Sequence, residues 1–181
     1  MENDLVMIAA TAGLVCTGLV FALAGAQKLL HRKLLSGVIA NYRLLPTVLV
    51  APAAILLPPV EVVLGLLLLA GVARPYAALA AVALLALFAA AMAVNILRGR
   101  TEIDCGCNQA FLRQPLRWTL VVRNLVLAAL LLPSLAVAAP MPLAALAAGA
   151  AGGAAFFLLY LLVNIFAALP QRELILKVRP S

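Results

Sequence analysis

Most of this chain consists of long apolar runs joined by short polar connections. An apolar helix of about 20 residues has the length needed to cross a bilayer. Of the 181 residues, 67% are hydrophobic and only 10% are charged, whereas a soluble domain is about a quarter charged. The sequence therefore predicts a single integral membrane domain over residues 1–181. We expect an all-α, polytopic transmembrane helical bundle with a four-helix core and a fifth, C-terminal span, the five spans covering about 5–28, 53–72, 76–97, 118–138 and 143–169.

Two stretches depart from this simple pattern. Residues 29–45 carry His31, Arg32, Lys33 and Arg43 among apolar residues, which favours an amphipathic segment in the membrane interface. The second span contains Pro52, Pro58 and Pro59, so its first half is expected to be kinked or broken.

The net charge of +7 does not indicate a nucleic-acid partner. The cationic residues lie at the ends of apolar runs, which is typical of membrane topology, and membrane lipid is the expected environment. Counted by connection, twelve of the 13 Lys and Arg residues fall on one side and Arg74 alone on the other. The positive-inside rule then predicts an external N-terminus and a cytoplasmic tail in the inner membrane of a bacterium. The first run lacks a basic start, which favours a retained helix over a cleaved signal peptide.

The polar loop 98–117 carries the sharpest motif, Asp104-Cys105-Gly106-Cys107. A disulfide between Cys105 and Cys107 would close a small strained ring, which Gly106 has the backbone freedom to permit. Such a bond is readily reduced and passed on, so the pair predicts thiol–disulfide exchange. Arg100 and Arg113 would favour the thiolate, and Asp104 would oppose it.

Two alternatives compete with exchange at this loop. The cysteines can be inert, or they can be half of a metal site. His31 is the only histidine and there is no second Cys pair, so we predict no metal site. Cys16, inside the first span, is expected to be a small apolar filler rather than a redox partner.

A few polar residues lie at membrane depth, where ionisable groups usually pair or serve a function. At a rise of 1.5 Å per residue, Glu61 lies roughly 12 Å and Arg123 roughly 9 Å from the same side. A Glu61–Arg123 pair is therefore expected, with Lys28 as a second candidate partner. The pair could fix bundle register or handle protons. Asn124 is expected to form an interhelical hydrogen bond.

Small residues recur four apart in the fifth span, at Ala145, Gly149 and Gly153. This spacing lets two helices approach closely. We interpret it as packing within one bundle, with homodimerisation as the alternative.

The motifs together resemble those of the methylamine utilisation protein MauE family, within the wider DoxX-like group of small membrane proteins. The Cys-Gly-Cys loop before an Arg-Asn-containing helix is the most specific match. The matching residues are Ala24, Gly25 and Lys28, then 42–46, then Pro58, Pro59 and Glu61, then Cys105, Gly106 and Cys107, and finally Trp118, Arg123 and Asn124.

The resemblance implies an accessory role in methylamine metabolism rather than an enzyme proper. It implies maturation or transport of the disulfide-rich small subunit of periplasmic methylamine dehydrogenase, together with a thioredoxin-like MauD-type partner. If the chain is itself an enzyme, thiol–disulfide oxidoreductase is the expected class. A periplasmic client requires the cysteines on the periplasmic side of the membrane, whereas the count of Lys and Arg predicts that they face the cytoplasm. Either the protein passes electrons across the membrane, or the positive-inside rule gives the wrong orientation for this chain.

Two further functions stay open at the level of sequence. A quinone-coupled disulfide oxidase would use quinone as its cofactor and usually a second Cys pair, where this chain offers only Cys16. A non-redox structural or transport protein would depend on Glu61 more than on the cysteines.

Overall fold

Six helices make up the computed structural model, which describes residues 2–106, 114–136 and 142–177, without the side chains of residues 2, 3, 33 and 167–177. The helices are α1 (Glu2–Leu30), α2 (Arg32–Tyr42), α3 (Thr47–Ala70), α4 (Arg74–Leu97), α5 (Trp118–Ala136) and α6 (Leu143–Lys177). Five of them, all except α2, are long and apolar enough to cross a membrane. The predicted all-α, multi-pass helical class is therefore confirmed.

The bounds of the helices differ from the predicted spans mainly in two places, the start of α3 and the end of α6. Helix α3 begins at Thr47 and runs through Pro52, Pro58 and Pro59 as a single helix, so the prolines do not break it. Neighbouring helices can satisfy the backbone groups that proline frees at membrane depth, which makes such residues tolerable there. Helix α6 continues to Lys177.

Helix α2 has 11 residues and is too short to cross a bilayer. It ends where Arg43 adopts a left-handed conformation at φ 48° and donates its N–H to the carbonyl of Ala40. The chain then turns into α3 through Pro46. These features place α2 across the end of the bundle, against α3, as expected for an interfacial helix.

Helix α1 is the centre of the bundle. It packs against α3, α5 and α6, while α4 completes the four-helix core by packing against α5 and, less extensively, α3. More than half of the span in α1 is buried, whereas most of α6 faces outward. The C-terminal span is therefore attached to the core through α1.

Glycines bring the neighbours of α1 into direct backbone contact. A Cβ on Gly13 would overlap the carbonyl oxygen of Leu130 in α5. One on Gly65 of α3 would lie 2.6 Å from the backbone nitrogen of Ala22, and one on Gly153 of α6 would lie 2.7 Å from the carbonyl oxygen of Ala12. Small residues at such contacts let membrane helices gain dispersion contacts that lipid cannot offer. The small-residue spacing in α6 therefore serves packing inside the bundle.

The core divides into two clusters along the membrane normal. Cys16 lies in the first cluster, among apolar side chains of α1, α4 and α5, and is 1% exposed. Cys105 lies in the second cluster with Ala89, Met92 and Leu116. Cys16 is about 18 Å along α1 from Lys28, at 1.5 Å per residue. It is a buried filler, remote from the Cys loop.

The contact between α6 and α1 makes a paired test available. Gly153→Ala is expected to destabilise the protein by roughly 1–3 kcal/mol, because its methyl group would overpack against α1. Gly152→Ala places a methyl group at an ordinary 3.8 Å from Cβ of Ala12 and should be neutral or slightly stabilising. Equilibrium unfolding in mixed micelles measures both. Equal effects of the two substitutions would contradict the packing described.

Candidate functional site

The Cys loop is residues 98–117, and its described parts, 98–106 and 114–117, lie at the same end of the bundle as α2. Arg100 ties the start of the loop to that helix. Its guanidinium donates to the carbonyl of Asn41 at 2.8 Å and to Oδ1 of Asn95 at 3.2 Å. Arg100 thus holds the C-terminal end of α2 against α4. The sequence had instead suggested that Arg100 would stabilise a thiolate of the Cys pair.

Cys105 is held by backbone hydrogen bonds on both sides. Its N–H donates to the carbonyl of Gln114 at 3.0 Å, and its own carbonyl accepts from the Tyr42 hydroxyl at 3.1 Å. A single antiparallel bridge pairs Asp104 with Pro115 next to it. The Cys105 side chain is 5% exposed, and its Sγ lies 3.9 Å from Oε1 of Gln114, a weak contact for a thiol donor. The loop therefore presents this sulfur inward.

Gly106 is required at its position for two reasons. Its φ of +66° is one that L side chains rarely adopt, and a Cβ there would lie 2.7 Å from Cγ1 of Val38 in α2. Its N–H donates to Oδ1 of Asp104 at 3.3 Å. Asp104 therefore shapes the turn at the cysteines.

Cys107, the second member of the predicted redox pair, lies outside the described residues, as does Arg113. The pairing of Cys105 with Cys107 therefore stays a prediction. Among the residues that are described, no group of three His, Cys, Asp or Glu side chains could hold a metal ion.

Glu61 pairs with Lys28, which was the second of its two candidate partners. The Lys28 ammonium donates to Oε1 of Glu61 and lies 5.1 Å from the centre of the Phe88 ring. Glu61 is 1% exposed and the Lys28 side chain 10%. The pair joins the C-terminal part of α1 to the middle of α3 and presents a cation to the neighbouring ring of α4.

Arg123 is directed toward α6 instead of Glu61. Its guanidinium donates to Oδ1 of Asn164 at 2.7 Å and lies 5.5 Å from the centre of the Tyr160 ring. The backbone carbonyl of Asn164 accepts in turn from Nε2 of Gln114 at 3.4 Å. A chain of polar contacts thus runs from α5 through α6 to the residue beside Cys105. The depth estimate alone favoured the wrong partner because it contains no information on which helix faces which.

Asn124 does not form the interhelical hydrogen bond that was expected. Its side-chain amide donates to the carbonyl of Leu120 in its own helix at 2.9 Å. Asn95 does the same with Ala91 at 3.1 Å. A short amide side chain can satisfy itself on the preceding turn without a partner helix.

Three residues of the site were not singled out as functional from sequence: Tyr42 as a donor to the Cys loop, Gln114 and Asn164. Asn164 carries a usable signal, since it is an isolated amide within the apolar span Leu143–Phe166, and polar groups at such depth usually have a partner or a function. Tyr42 and Gln114 lie in polar stretches, where tyrosine and glutamine are common and do not indicate a functional site.

The fold and this site define the class of protein: a multi-pass helical membrane protein with a buried cysteine in a structured interfacial loop. The sequence model of methylamine utilisation protein MauE matches residues 5–139, a range that contains α2 to α5 and all but the first three residues of α1. The chain belongs to the MauE family.

Curated relatives agree with this assignment. Methylamine utilization protein MauE of Paracoccus denitrificans is 44% identical over 158 residues, 86% of this chain and 85% of the relative. The protein of the same name from Paracoccus versutus is 42% identical over 84% of each chain. That from Methylorubrum extorquens is 41% identical over 78% of each. No solved structure matches the chain.

The buried ion pair can be tested by a double-mutant cycle. Lys28→Met and Glu61→Gln are each expected to lower the free energy of unfolding, the lysine change by roughly 3–5 kcal/mol, because it leaves a buried carboxylate without its cation. The double variant, which is neutral at both positions, should be less destabilised than the sum of the two. Equilibrium unfolding in mixed micelles measures the cycle. Strictly additive effects would show that the two residues do not interact.

The close approach of Gly106 to α2 predicts a local effect on the cysteine. Gly106→Ala should expose Cys105 and raise its rate of alkylation, because the loop must move away from Val38. Gly99→Ala is the matched control, since Gly99 has a similar φ of +72° but nothing within 4 Å of a Cβ. Alkylation in a Cys16→Ser and Cys107→Ser background reports on Cys105 alone. A similar increase in both variants would attribute the effect to backbone strain in the loop.

Proposed function

We propose that this chain acts in methylamine utilisation as a membrane accessory protein that exchanges disulfides through Cys105 and Cys107. The partner is a thioredoxin-like protein of the MauD type, and the client is the small subunit of methylamine dehydrogenase. Membership of the MauE family supports the metabolic role. The Cys-Gly-Cys motif supports the exchange chemistry, and the buried, fixed position of Cys105 suits the internal step of that exchange.

The burial of Cys105 indicates that the two cysteines carry out different steps of the exchange. A partner protein cannot reach a sulfur that is 5% exposed and covered by α2, and thiol–disulfide exchange requires access to the attacked sulfur. We therefore assign the intermolecular step to Cys107 and the internal step to Cys105. In this scheme Tyr42 and Gln114 position Cys105 for the internal step.

The exchange balances as two successive displacements. A partner thiolate attacks Sγ of Cys107, the bond to Cys105 breaks, and Cys105 leaves as a thiolate. The second partner thiol then displaces Cys107, which leaves a disulfide in the partner and two reduced cysteines here. The partner has lost two electrons and the Cys pair has gained them.

The side of the membrane on which this occurs follows from orientation. The end of the bundle that holds the Cys loop also holds most of the described cations, including Lys28, Arg32, Arg98 and Arg117, while Arg74 lies at the opposite end. The positive-inside rule predicts that this cation-rich end faces the cytoplasm. Direct contact with a periplasmic client requires the reverse orientation, so with a cytoplasmic loop the partner must carry the exchange to the other side.

Serine substitutions test the proposed exchange. Cys105→Ser and Cys107→Ser should each abolish growth on methylamine, because neither variant can form the internal disulfide. Cys105→Ser should in addition accumulate a mixed disulfide with the partner, because the Cys107 thiolate can attack the disulfide of the oxidised partner and no Cys105 thiol remains to displace the partner. Growth and non-reducing gels are the measurements.

Cys16→Ser is the matched control, because Cys16 is a buried thiol in the other cluster of the core. It should grow normally and trap nothing. Normal growth of a Cys105→Ser/Cys107→Ser double variant would refute the exchange and favour a structural or transport role.

A further inference from the structure

A cavity of about 400 Å³ lies beneath the Cys loop, between α2, α3 and α4. Pockets for small molecules have volumes of about 300–1,000 Å³ and are mostly apolar with a few polar groups. Here the wall is almost entirely aliphatic and aromatic, and its polar residues include Lys28, Tyr42 and Cys105. The cysteine of the Cys loop and the cation of the buried ion pair thus line one cavity.

The cavity opens toward lipid. Leu56 of α3 and Leu87 of α4 belong to its wall, yet they are 61% and 62% exposed. The opening exists because α3 packs extensively on α1 but only sparsely on α4. The surface outside these two helices is apolar and lies within spans. A ligand therefore enters sideways from the bilayer, which limits it to lipid-soluble molecules.

The placement of Lys28 favours a ligand with an acceptor group. An ammonium has three N–H donors, of which one goes to Glu61 while the nitrogen lies over Phe88. Lys28 is part of the cavity wall, so a small rotation of its side chain would let a second N–H donate to an oxygen inside the cavity. A lipid acyl chain has no group that would use this donor, whereas the ring carbonyl of a quinone does. Phe88 adds an aromatic wall of the kind on which a flat ring packs.

We propose that this cavity binds the ring of a lipid-soluble quinone, which reoxidises the Cys pair. This rests on the proposed function, since exchange leaves two thiols that need an electron acceptor. The S–H bonds of Cys105 and Cys107 break and an S–S bond forms. The two electrons and two protons pass to the quinone, which leaves as quinol. Lys28 orients one quinone carbonyl by donating a hydrogen bond.

Cavity-filling variants of the full-length protein in detergent test the site with decylubiquinone, a short-tailed quinone. The readouts are the quinone concentration for half-maximal thermal stabilisation and the rate at which the reduced thiols are oxidised. Ala91→Phe and Ala53→Phe both fill the cavity from different helices. Ala90→Phe is the matched control, since Ala90 neighbours Ala91 but is exposed outside the cavity.

We expect both filling variants to bind decylubiquinone at least about tenfold more weakly than wild type and to lose quinone-dependent thiol oxidation. Ala90→Phe should match wild type in both readouts. The unfolding midpoint without quinone shows that each variant folds, and two filling variants keep the test valid if one of them does not.

Three results would overturn the inference. In the first, decylubiquinone shows no saturable binding to the wild-type protein. In the second, all variants bind it with equal affinity. In the third, the filling variants lose co-purified phospholipid but still bind the quinone as wild type does. Binding without oxidation of the thiols would overturn the role of the quinone as oxidant. In each case a mixed disulfide in Cys105→Ser would still support exchange with the partner, so failure of the quinone site and failure of the proposed function are distinguishable.

Discussion

Direct backbone contact between α1 and its three neighbours fixes the geometry of the whole bundle. In lipid, helices gain nothing from burying apolar surface that lipid would cover equally well, so close packing must hold the bundle together. Glycines on both sides of these contacts leave no room for a Cβ. The same contacts fix the rotation of α1 and therefore the direction in which Lys28 points.

The candidate site is a consequence of that fixed rotation. Because Lys28 points toward α3 and α4, its ammonium forms an ion pair with Glu61 and lies over the face of the Phe88 ring. Because α3 and α4 pack only sparsely on each other, a cavity remains between them. Helix α2 and the Cys loop cover this cavity at the membrane interface. Tyr42 and Arg100 join these two covering segments, so the position of Cys105 depends on where α2 lies.

The sequence predicts features that a single physical rule controls, such as the length of a membrane-spanning helix. It does not predict contacts that depend on how each helix is rotated about its own axis. Lipid imposes helices of a certain length, so the five spans were predictable to within a few residues, apart from the start of α3 and the end of α6. Depth made Arg123 the first candidate partner of Glu61, with Lys28 as the second, but only the packing of α1 selects Lys28. Asn124 was assigned across helices because a buried amide needs a partner, yet its own preceding turn supplies one. The contact of Tyr42 with Cys105 joins segments far apart in sequence, and no local pattern predicts it.

The redox state of Cys105 and Cys107 in cells shows whether the two residues work as a thiol–disulfide pair. Thiols would be trapped with acid and alkylated with a mass tag in a Cys16→Ser background, so that only Cys105 and Cys107 are read. We expect an oxidised fraction that rises when the thioredoxin-like partner is deleted, because the partner delivers electrons to the pair. Two thiols that stay reduced with or without the partner would contradict it.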